Sequence, residues 1–238
     1  MSGRAGARPG GALRWGATAL IALIGLALLA WPAARNLAYD REVAELRQQF
    51  AQPDGRTAAA EGWSRDDLYR YLLAENERLF DTGQAGLTDA FAYETVAVDL
   101  ASYGIVDDRI GFLTIPAIGI DLPIRLGATR DHLKRGAVHL TQTSYPIGGP
   151  NTNAVIAAHR GSVVVMFRDL DKITPGDEIV VTNFRERLVY RAVESVIISP
   201  DDVDRITIVP GRDMITLLSC HPRGVNDQRI VLYAERET

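Results

Sequence analysis

The C-terminal half of the chain alternates short apolar runs with turn-forming residues. From residue 110 onward, runs of β-branched and apolar side chains are bounded by Gly, Pro, Asp or Asn, a pattern that predicts strands. The helical patterns between them are short, and few connections are long enough for repeated βαβ units. A mainly β fold, an antiparallel-rich barrel, therefore fits better than a doubly wound sheet. The predicted strands span residues 110–115, 118–124, 153–159, 178–183, 188–198, 214–220 and 229–235, and short helices span 129–135, 164–172 and 200–206.

The N-terminal pattern is different, because residues 15–34 are 20 consecutive uncharged residues. That length matches the hydrocarbon core of a bilayer, and the apolar residues cover every face instead of the single stripe of a buried soluble helix. A cleaved signal peptide is the main alternative, but the positions before possible cleavage points near residues 30–34 do not fit the small-x-small pattern. We therefore expect an uncleaved anchor. Arg4, Arg8 and Arg14 precede it, which predicts a cytoplasmic N-terminus and an exported remainder.

Two further helices are predicted between the span and the strands. Residues 36–50 have an amphipathic pattern, and residues 51–62 are typical of a polar linker. Ser64 and Asp67 then form an acidic variant of a capping box, and Gly83 is a plausible C-cap. The stretch that follows, to about residue 103, is irregular.

Composition limits the chemistry that the chain can perform. A net charge of −4 over 238 residues argues against general nucleic-acid binding. One cysteine forms no disulfide framework, and the four histidines do not have the spacing of zinc ligands. We expect no metal and no cofactor.

Cys220 is the first candidate for chemistry. A lone cysteine is more often a small buried hydrophobe than a nucleophile. However, Cys220 ends a strand-like run, turn-forming residues follow it, and an exported chain that keeps one unpaired thiol suggests reactivity. If the two last runs pair side by side, Arg229 at the start of the second lies beside the sulfur.

A cysteine nucleophile needs a proton-exchanging partner. His159 fits best, because it ends a strand-like run and is followed by a loop. His221 follows Cys220 directly and would point to the opposite face of a continuing strand. His132 lies in a charged turn where we expect it to be solvated, and His139 could be a structural histidine bonded to the backbone.

These segments resemble the motifs of the sortase family. Residues 216–220, TLLSC, are similar to the TLxTC signature, with Ser219 in place of threonine. Residues 158–161, AHRG, are similar to the GHRG motif, and GVN at 224–226 followed by Arg229 resembles the segment that carries the essential arginine. The likeness runs from about residue 66 to residue 235. It implies a closed sortase-like β-barrel in which Cys220, His159 and Arg229 are catalytic.

Within that family the chain resembles class C, the pilin-polymerising type, which carries a lid with an Asp-Pro-aromatic motif. Asp89 and Phe91 occupy the matching positions, and Ala90 replaces the proline, which makes the backbone less rigid. The resemblance implies that Asp89 pairs with Arg229 while Phe91 covers the sulfur. An ordinary loop acid beside a core aromatic is the alternative. The sequence ends without the C-terminal membrane helix common in class C, an arrangement similar to housekeeping class A enzymes.

The resemblance also implies the reaction. Cys220 would cleave an LPxTG-like sorting signal, and the threonine carbonyl would then be joined to an amine, either a pilin lysine or a cell-wall peptide. A membrane-anchored cysteine peptidase and a non-enzymatic surface module remain as alternatives. The expected location is the cell membrane of a Gram-positive-type bacterium, with the catalytic domain outside. The expected regions are a basic cytoplasmic segment (1–14), a transmembrane signal anchor (15–34), a helical stalk with N-terminal helices (35–82), a lid and connecting loop (83–109) and a catalytic barrel (110–238).

Overall fold

The computed structural model describes residues 10–51, 64–84, 86–92, 103, 108–161 and 164–237. Helix α1 spans Gly10–Ala51 and runs through Pro32 without interruption. The predicted separate helix at 36–50 is therefore wrong, since these residues continue α1. Pro32 removes one helical hydrogen bond, but the alanine- and leucine-rich sequence around it favours helix. Within the described residues α1 is the one helix long and apolar enough to cross a membrane, and its apolar stretch is not buried by the rest of the protein.

The second half of α1 lies against the barrel. Val43 is 2% exposed, and the Arg47 guanidinium lies over the ring of Phe112 at 4.4 Å and pairs with Asp121. Phe50 meets Phe112 edge to face, with ring centroids 5.5 Å apart. The amphipathic pattern predicted for 36–50 therefore marks a docking face.

Helix α2 spans Arg65–Thr82 and has the predicted ends. Ser64 and Asp67 form the reciprocal capping box, and Gly83 closes the helix in the left-handed conformation. Leu68 and Leu72 are fully buried in the barrel core. The helix therefore packs its apolar face against the barrel core.

In the described residues from 109 to 236, eight strands form a closed barrel in the order β1-β2-β3-β4-β7-β8-β6-β5. The predicted fold class, a mainly β closed barrel preceded by helices, is confirmed. Neighbouring strands are antiparallel except for the pairs β2/β3 and β4/β7, which are parallel. The strands are β1 Arg109–Ile115, β2 Ile120–Leu126, β3 Ala137–His139, β4 Thr152–Ala157, β5 Glu178–Asn183, β6 Arg187–Ile198, β7 Asp213–His221 and β8 Gln228–Arg236.

Strand β3 and the short helices depart from the sequence prediction. β3 is three residues long, too short for a periodic pattern. Helix α3, Arg130–Arg135, begins after its cap Thr129 as predicted. The other predicted short helices are tighter 3₁₀ turns, and a further 3₁₀ turn delays the start of β2. These turns are Phe167–Lys172, Val203–Ile206 and Pro116–Ile118.

Two apolar clusters hold the fold together. The larger fills the barrel and includes Leu113, Ile156 and Leu217. The smaller lies on the outer side of β3, β4, β7 and β8, and it includes Leu218 and Ala90. Ala90 belongs to the described part of the predicted lid, residues 86–92, so this segment is seated on the barrel wall.

Candidate active site

The register of β7 and β8 places Cys220 directly opposite Arg229. Cys220 is partly buried at the end of β7. The connection reverses direction at Asn226, whose φ of 66° is in the left-handed region that asparagine tolerates better than most residues. The sequence predicted this juxtaposition from the order of two strand-like runs.

His159 lies at the end of the barrel where β7 ends, called the rim, two residues beyond the end of the neighbouring strand β4. β4 and β7 are parallel, with Ala157 paired to Leu218. The Ala158 N–H donates to the Leu218 carbonyl at 3.3 Å, and the Ser219 hydroxyl donates back to the Ala158 carbonyl at 2.6 Å. Continuing this register by two residues brings His159 level with Cys220.

The Asp89 carboxylate forms an ion pair with the Arg229 guanidinium. Arg229 donates from Nε to Oδ1 at 2.8 Å and from Nη2 to Oδ2 at 2.9 Å, a bidentate pair. Its Nη1 donates to the carbonyls of Asn226 and Gln228. Both side chains of the ion pair are largely shielded from solvent. The guanidinium is therefore fixed by four hydrogen bonds.

The Phe91 ring packs against the side chains of His159 and Arg229. Its centroid is 5.9 Å from that of the His159 ring, with 28° between the planes, and the Arg229 guanidinium carbon is 5.1 Å from it. The Phe91 N–H donates to Asp89 Oδ2 at 3.2 Å. Ala90 between them is 1% exposed. The lid segment and the rim thus form one contiguous group of contacts.

The electrostatics of this arrangement favour uncharged groups at the sulfur and the imidazole. Burial raises the pKa of the Cys220 thiol, Arg229 opposes that shift, and the Asp89 carboxylate adds to it. Burial also lowers the pKa of His159. With the lid segment in place, a neutral thiol and a neutral imidazole are therefore favoured at neutral pH.

A second hydrogen-bond network joins Arg160 and His221, the residues that directly follow His159 and Cys220. The Arg160 side chain is almost fully buried, and its Nη1 donates to His221 Nδ1 at 2.7 Å. Its Nη2 pairs with Asp171 at 2.9 Å. Because Nδ1 accepts this hydrogen bond, the proton of a neutral His221 lies on Nε2. His221, set aside on sequence grounds, is therefore a structural link between the ends of β4 and β7.

The remaining histidines have structural contacts. His139 is fully buried, its Nε2 bonds to the Ser144 carbonyl at 2.9 Å, and burial lowers its pKa to about 4. The expectation that His139 bonds to the backbone is confirmed. The expected solvation of His132 is wrong, because its Nδ1 lies 3.0 Å from the Leu126 carbonyl and its side chain is 14% exposed.

Two glutamines that the sequence did not single out anchor the lid segment. Gln142 Oε1 accepts from the Thr88 N–H at 3.0 Å and from its hydroxyl at 3.2 Å. Gln84 donates to the Gln142 carbonyl and accepts from the Ile208 N–H at 2.6 Å. Side-chain bonds to distant backbone leave no local sequence signal. Over the ranges described, no group of three or more His, Cys, Asp or Glu side chains is arranged to hold a metal ion.

A closed barrel with a thiol, an imidazole and a guanidinium at one rim has the parts of a cysteine-dependent acyl-transfer enzyme. The chain belongs to the sortase family: the family model of the sortase domain matches residues 113–237, more than half of the sequence.

Curated and solved relatives agree with this assignment. Sortase D of Bacillus subtilis (strain 168) is 30% identical over 131 residues, which cover 54% of this chain and 64% of that protein. Sortase A of Streptococcus agalactiae (serotype III, strain NEM316) is 29% identical over 132 residues, which cover 54% of this chain. The chain thus spans 53% to 64% of the length of these curated relatives.

The structural neighbours are sortases named as class C. The pilus-related sortase C of Group B Streptococcus is 31% identical, has a TM-score of 0.65 and covers 79% of this chain and 97% of its own. Sortase C from Clostridium perfringens SM101 is 27% identical, has a TM-score of 0.65 and covers 83% of this chain and 99% of its own. These structures resemble the chain over more of its length than the curated relatives do.

Proposed function

We propose that this protein is a cysteine transpeptidase that cleaves an LPxTG-like sorting signal and transfers the threonine carbonyl to an amine. The observation that carries the proposal is the register that sets Cys220 opposite Arg229, with His159 two residues beyond the β4/β7 ladder on the same side. A thiol nucleophile, a proton-transfer group and a permanently charged donor are the parts that acyl transfer through a thioester requires.

In the first half of the reaction, the Cys220 thiolate attacks the threonine carbonyl and forms a tetrahedral oxyanion. Arg229 stabilises the developing negative charge through its planar set of donors. His159 as imidazolium protonates the leaving amine when the peptide bond breaks. The products are a thioester on Cys220 and a free C-terminal fragment of the substrate.

In the second half, neutral His159 accepts a proton from the incoming amine as that amine attacks the thioester. A new amide bond forms, and the Cys220 thiolate leaves, which restores the starting charges. Water would compete with the amine for the thioester. A segment that covers the rim when substrate is absent keeps water off the thiolate until substrate displaces the segment.

We assign residues 86–92 as that cover, the class C lid. Asp89 holds Arg229 by two hydrogen bonds, and Phe91 lies against His159. The lid must leave before a substrate carbonyl can reach Arg229. The class C neighbours, one of which is described as pilus-related, favour pilin subunits as substrates and a pilin lysine as the acceptor. We place the enzyme in the cell membrane of a Gram-positive-type bacterium, anchored by α1 with the barrel outside.

The full-length protein is incubated with an LPxTG-like peptide, with and without an added amine, and the products are identified by mass spectrometry. A Cys220 thioester and an amine-dependent ligated product are expected, and both disappear in Cys220→Ala. Full activity of Cys220→Ala would refute the mechanism. Free acid as the main product despite added amine would instead indicate a peptidase.

A second experiment uses pilin proteins as substrates. Covalent polymers would support the class C role, whereas single anchored products would indicate a housekeeping role.

A further inference from the structure

The first contact between α1 and the barrel follows the apolar span almost immediately. The span ends at Ala34, and Asn36 Oδ1 accepts the Val165 N–H at 2.9 Å. Asn36 Nδ2 also donates to the Pro32 carbonyl at 2.9 Å, which fixes the side chain between helix and barrel. Two helical residues rise about 3 Å. Along the axis of α1, the barrel therefore first contacts the helix about 3 Å beyond the end of the apolar span.

The depth of this contact can be estimated from the span. Trp15 and Trp31 are 78% and 60% exposed, and exposed tryptophans at both ends of a span mark the membrane–water interfaces. The polar layer on each side of a ~30 Å core is about 5–8 Å thick, or roughly three to five helical residues. Asn36 and Tyr39, the second and fifth residues after Ala34, lie at that level.

A second barrel element is held at the same level. The Tyr39 hydroxyl donates to the Arg135 carbonyl at the end of α3, at 2.9 Å. Helical side chains lean toward the N-terminus, so this bond reaches back toward the span. Arg130, Lys134 and Arg135 on α3 are exposed cations, and Asp131, the one acid of this helix, pairs with Arg135 at 2.9 Å, which leaves α3 with a net positive charge. Such a surface complements anionic lipid headgroups.

We propose that residues 164–165 and α3, together called the juxtamembrane face, rest in the headgroup layer of the outer leaflet. The partner is the anionic surface of the bilayer that α1 spans, and the inference rests on the proposed membrane anchoring. Val43, Arg47 and Phe50 fix the barrel to α1. The helix therefore sets the height of the barrel rigidly, with no flexible stalk between them.

This docking places the rim at the lipid surface. Val165 lies six residues after His159, and the Phe167 N–H donates to the His159 carbonyl at 3.0 Å. Residues 164–167 are thus held between the proposed active site and the headgroups. Substrates would be met at the membrane surface and not at a distance from it.

The test uses the full chain in vesicles of phosphatidylcholine and phosphatidylglycerol. Cys220→Ala removes the one cysteine, and single cysteines then carry a fluorophore at Lys134→Cys on the juxtamembrane face or at Leu26→Cys in the span. Val209→Cys is the control, on the connection before β7 and therefore at the barrel end opposite the rim. Spin-labelled lipids, labelled on the headgroup or the acyl chain, quench the fluorophore according to depth.

We expect the headgroup label to quench position 134 severalfold more than position 209, and the acyl-chain label to quench position 26. An insertion of roughly seven helical residues after Ala34 raises the barrel by ~10 Å at nearly unchanged rotation. It should abolish quenching at 134 and leave position 26 unchanged. If the acyl-chain label quenches position 26 but the headgroup label quenches positions 134 and 209 equally, the docking is overturned and the anchoring is not. If position 26 is not quenched, both the anchoring and the docking are overturned.

Discussion

Arg229 donates to both carboxylate oxygens of Asp89, at 2.8 and 2.9 Å. The guanidinium edge that would bind a substrate oxyanion is therefore already bound by the lid. In the proposed reaction, the acid and the substrate would compete for one set of donors. The contact that seats residues 86–92 would then have to break before Arg229 could act on substrate.

Removing the acid should expose the thiol. Asp89→Ala breaks the bidentate pair, and because charge-assisted hydrogen bonds are the stronger kind, we expect alkylation of Cys220 to become faster by about 3- to 10-fold. The measurement is the rate of labelling by a thiol reagent at fixed pH. Asp81→Ala, which removes an exposed acid at the end of α2, is the matched control. Equal labelling rates in wild type and Asp89→Ala would show that residues 86–92 do not guard the sulfur.

The pH dependence of labelling reports the same contact. In the closed state burial, aided by Asp89, raises the pKa of the Cys220 thiol, so its thiolate forms at a higher pH than that of an ordinary thiol. Asp89→Asn removes the negative charge at nearly constant shape. The midpoint of the labelling profile should therefore move to lower pH. A profile that stays in place or moves upward would contradict the assigned electrostatics.

Replacing the guanidinium by an ammonium should impair catalysis. Arg229→Lys keeps the charge but loses the planar donors, and we expect kcat/KM for peptide transfer to fall by about 10²–10³, the usual effect of losing an oxyanion donor. Arg212→Lys alters an exposed pair with Glu235 of β8, and we expect it to change kcat/KM little. Activity within twofold of wild type for Arg229→Lys would exclude the proposed role.

The Arg160 network should matter for stability. Arg160→Lys cannot bond to His221 and Asp171 at once, and we expect the free energy of unfolding to fall by about 1–3 kcal/mol, the usual cost of an unsatisfied buried group. The measurement is urea denaturation. Arg223→Lys changes exposed pairs with Asp169 and Asp171 and should cost less than about 1 kcal/mol. If both variants lost equal stability, the buried link would have no special role.

The sequence predicted the features that depend on local patterns or on strand order. The capping box at Ser64 and the meeting of Cys220 with Arg229 belong to this group. Strand β3 could not be predicted, because its pairing with β2 and β4 comes from the closed barrel and not from a pattern in three residues. The anchors Gln84 and Gln142 were missed for a related reason, since their partners lie far away along the chain.

The local sequence pattern also could not predict that α1 continues through Pro32. Pro32 and the charges after Arg35 are typical of a helix end. The contacts of Asn36 and Val43 with the barrel support helix on the far side of the proline, and tertiary contacts of this kind have no local pattern.

The parallel pairing of β4 and β7 has a consequence for how such an enzyme can diversify. A hairpin cannot join parallel strands, so β5 and β6 lie within the crossover that separates the imidazole from the sulfur along the chain. Substitutions in residues 173–212 can reshape the far wall of the barrel while the β4/β7 ladder keeps its register. Selectivity for different substrates could therefore evolve in that crossover without moving the Cys220 and His159 side chains apart.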